Sequence, residues 1–297
     1  MNVPPSHTRA VLQAFLVTFL WSTSWVLIKI GLTDLPALTF AGLRYTLAFL
    51  CLLPFALRAG ARTTLRGLTA RQWLGLIALG LLYYAVTQGT QFVGLAYLPA
   101  VTVSLLLTLT ALIVPLFGIV LLAERLTLLQ WGGVALFLLG AAIYFFSMVL
   151  PARAAFGLGA VLIGVLANAL SAILGRRINH RWNLPPLIVT LVSMGIGAAA
   201  LLLVGLPSEH FPPLRPAHCA IIVWLALVNT AFAFTVWNHT LRTLSATESS
   251  IINNTMLVQI ALLSWLCLGE ELSARQILGM VLASGGAVFV QIKLTRR

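Results

Sequence analysis

Hydrophobic positions in this chain form long uninterrupted blocks, separated by short segments that carry charged residues or proline. The blocks lack the strict alternation of half-buried strands, and each approaches the roughly 20 residues that an α-helix needs to cross a bilayer. The pattern predicts an all-α polytopic membrane protein with ten transmembrane helices. The expected spans lie near 11–30, 36–57, 73–94, 100–122, 128–148, 156–176, 185–206, 217–240, 247–268 and 275–293.

Composition excludes a soluble fold. Hydrophobic residues make up 60% of the 297 positions and charged residues 8%, compared with roughly 45–50% and about 25% in ordinary soluble domains. A net charge of +12 would suggest nucleic acid in a soluble protein. Here most basic residues lie in short loops, so we expect the lipid bilayer as the partner and no nucleic acid.

The distribution of lysine and arginine orients the predicted helices. If the N-terminus is cytoplasmic, the segments on that side hold thirteen basic residues: Arg9, Arg58, Arg62, Arg66, Arg71, Arg125, Arg176, Arg177, Arg181, Arg242, Lys293, Arg296 and Arg297. The opposite segments hold three, Arg153, Arg215 and Arg275, while Lys29 and Arg44 lie within spans. The positive-inside rule therefore predicts that both termini are cytoplasmic.

An internal repeat with an offset of 146 residues relates the two halves of the chain. It aligns 123–130 with 269–276 and pairs Gly133 with Gly279 and Gly140 with Gly286, without a gap. Five helices is an odd number, so the copies must enter the membrane from opposite sides, an arrangement that is physically suited to alternating access. The predicted organisation is a cytoplasmic tail at 1–10, a first repeat at 11–148, a periplasmic linker at 149–155, a second repeat at 156–293 and a cytoplasmic tail at 294–297.

The segment from Pro115 to Gly140 reads P-x8-E-x-L-T-x2-Q-x2-G-x6-G, and its glutamate half recurs from Glu270 to Gly286. Together with Trp21–Trp25 and Arg44, it resembles the EamA-type family of drug/metabolite transporters. The resemblance implies ten helices in two inverted halves, in a bacterial inner membrane, that export metabolites such as amino acids. Length and aromatic content look most like the aromatic amino acid exporters of that family. Ala261 replaces the first-half proline in the second half, which departs from the family pattern.

Polar stripes on the apolar helices are the candidate substrate site. In helix 1, Thr18, Ser22, Trp25 and Lys29 fall on one helical face. Similar stripes recur at image positions in helices 3, 4, 6, 8 and 9, as a site between inverted repeats would require. The candidate residues are Ser22, Trp25, Lys29, Tyr84, Gln88, Gln91, Thr108, Asn168, Ser171, Trp237 and Asn254. The alternative is ordinary hydrogen bonding between helices, worth roughly 0.6 kcal/mol each.

The sequence contains few features that could couple transport to an energy source. No GxxxxGK[ST] loop is present, so ATP does not act directly. All six acidic residues fall near span edges or in loops, which favours facilitated diffusion. Proton-coupled antiport of drugs or other metabolites is the alternative, with His239 and Glu248 as candidate coupling groups. Glu124 and Glu270 are expected to be anchors at helix starts rather than substrate ligands.

Other functional classes fit less well. The chain lacks HExxH and GxSxG, and Asp34 is its single aspartate, so we expect no enzyme. Scattered cysteines without CxxC spacing predict no metal and no cofactor. A scaffold subunit would not explain stripes that recur in both halves, and a channel remains an alternative. We expect a small-molecule substrate, and the pattern is compatible with a monomer.

Overall fold

The computed structural model describes residues 6–58, 61–122, 127–146, 152–182, 184–210, 212–241, 243–244 and 246–291. Within those ranges the chain forms helices and no strands. Helices 1 to 5 are His7–Gly31, Ala37–Arg58, Ala70–Tyr97, Ala100–Thr108 continued by Thr110–Leu122, and Leu128–Phe145. Helices 6 to 10 are Ala152–Arg181, Pro186–Ser208, 216–240, Ala246–Leu268 and Ala274–Gln291. A short helix, Ala61–Arg66, lies between helices 2 and 3.

All ten predicted spans coincide with helices, which confirms a polytopic all-α membrane protein. Nine of the described helices are long and apolar enough to cross a bilayer. Helix 10 has 18 described residues, and Arg275, Gln276 and Gln291 at its ends make it more polar. Helix 4 is interrupted at Leu109, whereas its repeat image, helix 9, is continuous.

Hydrogen bonds between helix ends agree with an alternating topology. Glu209, after helix 7, accepts the backbone N–H groups of Leu38 and Thr39 at the start of helix 2, at 2.9 and 2.8 Å. Glu270, after helix 9, accepts the N–H of Ala100 at the start of helix 4, at 2.9 Å. Each bond joins ends separated by six helices, and an even number of crossings returns the chain to the same side. The cytoplasmic placement of the termini stays a prediction.

The helices group into two compact units. The first unit comprises Met1–Leu27, Leu98–Ala155 and Phe232–Arg297, and the second comprises Ile28–Tyr97 and Phe156–Ala231. Each unit therefore combines helices from both halves of the sequence. The units do not coincide with the two predicted repeats.

In the first unit, helix 5 packs against its own repeat image, helix 10. Gly133 lies against Gly286, and Gly140 lies against Gly279. A Cβ on Gly133 would be 2.8 Å from the Gly286 carbonyl oxygen, and a Cβ on Gly279 would be 2.6 Å from that of Gly140. The two contacts are images of one another and run antiparallel. This is the geometry that an inverted repeat requires, and glycine permits the close backbone approach.

The second unit repeats this arrangement with helix 2 and its image, helix 7. Phe49 contacts Gly195, its own image at the 146-residue offset, and a Cβ on Gly195 would be 2.9 Å from the Phe49 ring. Leu202 lies against Gly42. The image of that pair, Ile188 and Ala56, shares one buried cluster. Contact positions on the two helices run in opposite directions, so this pair is also antiparallel and confirms the inversion.

Helices 3 and 8 each contain a π-helical segment, Gly80–Thr87 and Leu227–Phe232. The offset of 146 places the first segment over 226–233, so the two π segments are repeat images. In each, a threonine hydroxyl donates to the carbonyl oxygen five residues earlier, Thr87 to Leu82 at 2.8 Å and Thr230 to Leu225 at 2.9 Å. Such segments are rare and frequently lie at functional sites.

The repeated glutamate motif caps helices. Thr127 and Gln130 form a capping box at the start of helix 5. Their images Ser273 and Gln276 exchange the same two hydrogen bonds before helix 10. Glu270 anchors the start of helix 4, through the N–H of Ala100, rather than the start of helix 10, the helix that it precedes in sequence. Its image Glu124 lies outside the described residues.

We expect Gly279→Ala to destabilise the protein, because its Cβ would meet the backbone of Gly140 and Tyr144. Overpacking of this kind costs about 1–3 kcal/mol, and we expect a melting temperature several degrees lower, at roughly 2–4 °C per kcal/mol. The melting temperature is measured by thermal unfolding in detergent, followed by tryptophan fluorescence. Gly132→Ala is the matched control, because nothing lies within 4 Å of its Cβ. Equal stability of the two variants would contradict the proposed role of the glycine contact.

We expect Glu270→Ala to lower the melting temperature, because the first N–H of helix 4 would lose its acceptor. Loss of a cap costs roughly 0.5–2 kcal/mol, and the carboxylate also interacts favourably with the positive end of the helix dipole. Glu271→Ala makes the same change of charge at the exposed neighbouring position and should leave the melting temperature close to wild type. A Glu270→Ala protein as stable as Glu271→Ala would rule out this anchor.

Candidate functional site

The predicted site residues divide between the two compact units. In the first unit lie Ser22, Trp25, Thr108, Trp237 and Asn254, and in the second lie Lys29, Tyr84, Gln88, Gln91, Asn168 and Ser171.

In the first unit, a glutamine from helix 9 binds the polar face of helix 1. Ser22 Oγ lies 2.8 Å from the Thr18 carbonyl oxygen and 3.0 Å from Gln259 Oε1, so its single proton can serve either acceptor. Gln259 Nε2 donates to Thr18 Oγ1 at 3.2 Å and to Thr255 Oγ1 at 3.0 Å. Ser22 and Thr18 are fully buried. This network fixes the predicted stripe of helix 1 against helix 9.

Beside this network lies an aromatic cluster formed by Trp21, Phe234 and Trp237. The Trp21 ring centroid is 5.2 Å from each of the other two, with interplanar angles of 55° and 52°. Tilted pairs at this separation are favourable contacts between aromatic rings. All three side chains are only partly buried. The cluster therefore presents aromatic surface that an apolar group could contact.

The other predicted residues of the first unit are less accessible or make local hydrogen bonds. Trp25 is 7% exposed and packs in the interior of the protein. Thr108 donates to the carbonyl oxygen of Ser104 at 2.9 Å. Asn254 in helix 9 is partly buried.

In the second unit, Tyr84 sits in the π segment of helix 3 and belongs to a group of tyrosines. Its ring lies 5.5 Å from Tyr45 and 4.9 Å from Tyr83, both edge to face. Helix 7 approaches the same segment closely, because a Cβ on Gly197 would lie 2.6 Å from the Gly80 carbonyl oxygen. The π segment thus holds Tyr84 within a tightly packed interior.

Arg44 lies beside the tyrosines. Its Nε and Nη2 donate to Thr230 Oγ1, in the π segment of helix 8, at 3.4 and 3.3 Å. The guanidinium carbon is 5.2 Å from the Tyr45 ring centroid, which is a cation–π distance. A buried cation therefore contacts Thr230 of one π segment and Tyr45, whose ring packs on Tyr84 of the other.

The remaining predicted residues of this unit lie on helices 1, 3 and 6. Gln91 is buried and Gln88 is partly buried on helix 3. Ser171 Oγ donates to the Asn168 carbonyl oxygen at 2.8 Å, which is a local helix 6 contact. Lys29 is partly buried in the last turn of helix 1.

The two candidate coupling groups lie in the first unit. Glu248, in the first turn of helix 9, is 2.7 Å from His7 Nε2 at the start of helix 1. Both side chains are substantially exposed. His239 is partly buried near the end of helix 8. The geometry ties the beginnings of helices 1 and 9 together.

Sequence reasoning omitted Trp21 and Gln259 from the site. Trp21 belongs to the tryptophan motif of helix 1, and its pairing with Trp237 depends on how helix 8 is rotated. Gln259 carries a detectable signal, because Thr255 and Gln259 have the i, i+4 spacing of one helical face. Within the described ranges, no group of three or more His, Cys, Asp or Glu side chains could hold a metal ion.

Several uncharacterized transporters are similar to this chain along almost its whole length. YoaV of Bacillus subtilis (strain 168) is 24% identical over 97% of this chain and 99% of its own length. YcxC of the same organism is 24% identical over 99% of this chain and 96% of its own length. A transporter of Archaeoglobus fulgidus is likewise 24% identical, over 97% of this chain and 99% of its own.

A solved structure described only as the crystal structure of a protein matches with a TM-score of 0.68 at 20% identity, over 95% of this chain and 97% of that one. This likeness shows a shared fold. The pattern of the EamA-like transporter family matches this chain twice, at residues 8–146 and 155–292. These ranges cover nearly all of both halves, in agreement with the packing of image helices. The chain belongs to the EamA-like transporter family.

Proposed function

We propose that this transporter exports amino acids, including aromatic ones, across a bacterial inner membrane by alternating access, without direct use of ATP and without catalysing a reaction. The observation that carries the proposal is the partly buried aromatic cluster of Trp21, Phe234 and Trp237. It offers apolar contact area of the kind that binds a bulky aromatic side chain.

The packing of image helices supports alternating access. Helices 5 and 10 in one unit, and helices 2 and 7 in the other, pack as antiparallel image pairs. Related halves can exchange inward and outward arrangements at little difference in free energy. A monomer contains both halves and so suffices for this mechanism.

The acidic residues support facilitated transport down a solute gradient. Four of those described make contacts at helix ends: Asp34 with His218, Glu209 with Thr39, Glu248 with His7 and Glu270 with Ala100. Coupling to protons or sodium ions normally uses carboxylates within the membrane. Proton-coupled antiport is the second candidate, and the His7–Glu248 pair favours it, because a hydrogen-bonded imidazole and carboxylate can exchange a proton.

We expect Trp21→Ala to slow the transport of tryptophan and phenylalanine about tenfold and to change threonine transport little, because only aromatic substrates lose a stacking partner worth roughly 0.5–1.5 kcal/mol plus buried area. Uptake of radiolabelled amino acids into proteoliposomes measures this. Trp265→Ala is the matched control, because Trp265 is 56% exposed on helix 9. An equal loss for aromatic and small amino acids would count against the aromatic cluster.

We expect an imposed pH gradient to leave the final amino acid distribution across proteoliposomes unchanged, because a uniporter only equalises substrate concentration. The measurement is the internal substrate concentration at steady state, with and without the gradient. Accumulation above the external concentration would reject facilitated transport and favour antiport. In that case, Glu248→Gln should abolish accumulation if the His7–Glu248 pair carries the proton.

A further inference from the structure

Arg44 is a buried cation well inside the span of helix 2. It is the eighth residue of Ala37–Arg58, and a rise of 1.5 Å per residue places it about 10 Å from the helix start. Only 6% of its surface is exposed. A charged side chain at such a position is costly unless another group compensates the charge.

The structure provides Arg44 with weak partners for a full positive charge. Its two hydrogen bonds with described residues both go to one hydroxyl, Thr230 Oγ1, at 3.3 and 3.4 Å, which is long for this type of bond. That hydroxyl already donates its own proton to the Leu225 carbonyl oxygen. The Tyr45 ring adds a cation–π contact at 5.2 Å. A guanidinium has five donors, so most of its capacity is available for another acceptor.

Among the described residues, no carboxylate pairs with Arg44. The ion pairs among the described residues are His7 with Glu248 and Asp34 with Arg215 and His218. Glu209, in the same unit as Arg44, is bound to the first turn of helix 2 at Leu38 and Thr39. The described residues therefore do not supply the anion that this position calls for.

The surroundings of Arg44 suit a small planar anion. Thr230 and Tyr84 come from the two π segments, and the Tyr45 ring packs edge to face on Tyr84 at 5.5 Å. An arginine fork matches the two oxygens of a carboxylate and binds them with paired, charge-assisted hydrogen bonds. Lys29, the other cation within a span, is a point charge near a helix end.

We propose that Arg44, with Thr230 beside it, binds the carboxylate group of the transported solute. The proposal rests on the proposed function, because the conformational change of an alternating-access carrier gives a solute access to a buried residue. It assigns the carboxylate to Arg44 rather than to Lys29.

The test compares ligands with and without a carboxylate. Binding of L-phenylalanine, 3-phenylpropionate, benzoate and phenethylamine to the purified protein is measured by calorimetry. We expect Arg44→Gln to weaken binding of the carboxylates about tenfold or more, the loss of one charge-assisted pair, and to leave phenethylamine unchanged. Arg44→Lys should fall between, because it keeps the charge and loses the fork. Thr230→Val should weaken carboxylates selectively.

One control accompanies these variants. Arg71→Gln removes an exposed arginine at the start of helix 3 and should bind like wild type. Lys29→Gln is not a control but tests the rival assignment of the carboxylate to Lys29, which predicts loss of the preference for carboxylates in that variant. If Arg44→Gln does not fold, Arg44→Lys and Thr230→Val decide the matter, because a merely structural role would weaken all four ligands alike or none.

The outcomes separate this inference from the proposed function. Amino acid transport by the wild type, together with unchanged carboxylate binding in Arg44→Gln, would overturn the inference and leave the function standing. Benzoate binding that depends on Arg44, in a protein that transports no amino acid, would support the inference and reject the function. A wild type that binds no carboxylate would overturn the inference. Loss of carboxylate binding in Lys29→Gln but not in Arg44→Gln would overturn it as well.

Discussion

The backbone contact between helices 5 and 10 underlies the architecture of the first unit. Apolar lipid tails remove the hydrophobic drive for helices to associate, so close packing and hydrogen bonds must hold them together. Gly133 and Gly140 meet Gly286 and Gly279 at distances that leave no room for a side chain. Because the two contacts are images of one another, one sequence feature, duplicated, stabilises the interface twice. Helices 2 and 7 use the same geometry, with Phe49 lying on its own image Gly195.

Helix ends impose the second constraint, since the first N–H groups of a helix have no partner within it. Glu209 and Glu270 supply acceptors for helices 2 and 4, and capping boxes serve helices 5 and 10. Glu209 and Glu270, two of the few acidic residues, therefore lie at the ends of spans. The consequence for function is electrostatic, because the described interior retains the charge of Arg44 without a paired carboxylate.

The sequence predicts those features that depend on one helix at a time. Apolar length locates all ten spans, and an odd number of helices per repeat predicts the inversion that the glycine contacts confirm. The π segments were not predicted, because apolar length does not distinguish them from α-helix; in helix 3 the segment lies where Gly197 of helix 7 approaches Gly80. The helix 1 stripe identifies the face that meets Gln259, yet periodicity cannot show that Trp25 is buried while Trp21 stacks on Trp237. That distinction depends on residues of helices 8 and 9, far away in sequence.

The two halves share their geometry but differ in their chemistry. Both π segments occupy image positions, yet Tyr84 in helix 3 corresponds to Thr230 in helix 8, and Arg44 in helix 2 corresponds to Thr190 in helix 7. Similar backbones allow the inward and outward arrangements to lie close in free energy. A solute with distinct charged and apolar ends also needs unequal partners, so that it binds in one orientation. Within this chain the repeat is therefore retained where backbones pack, as at Gly133 and Gly279, and lost at side chains around the π segments, as at Tyr84 and Thr230.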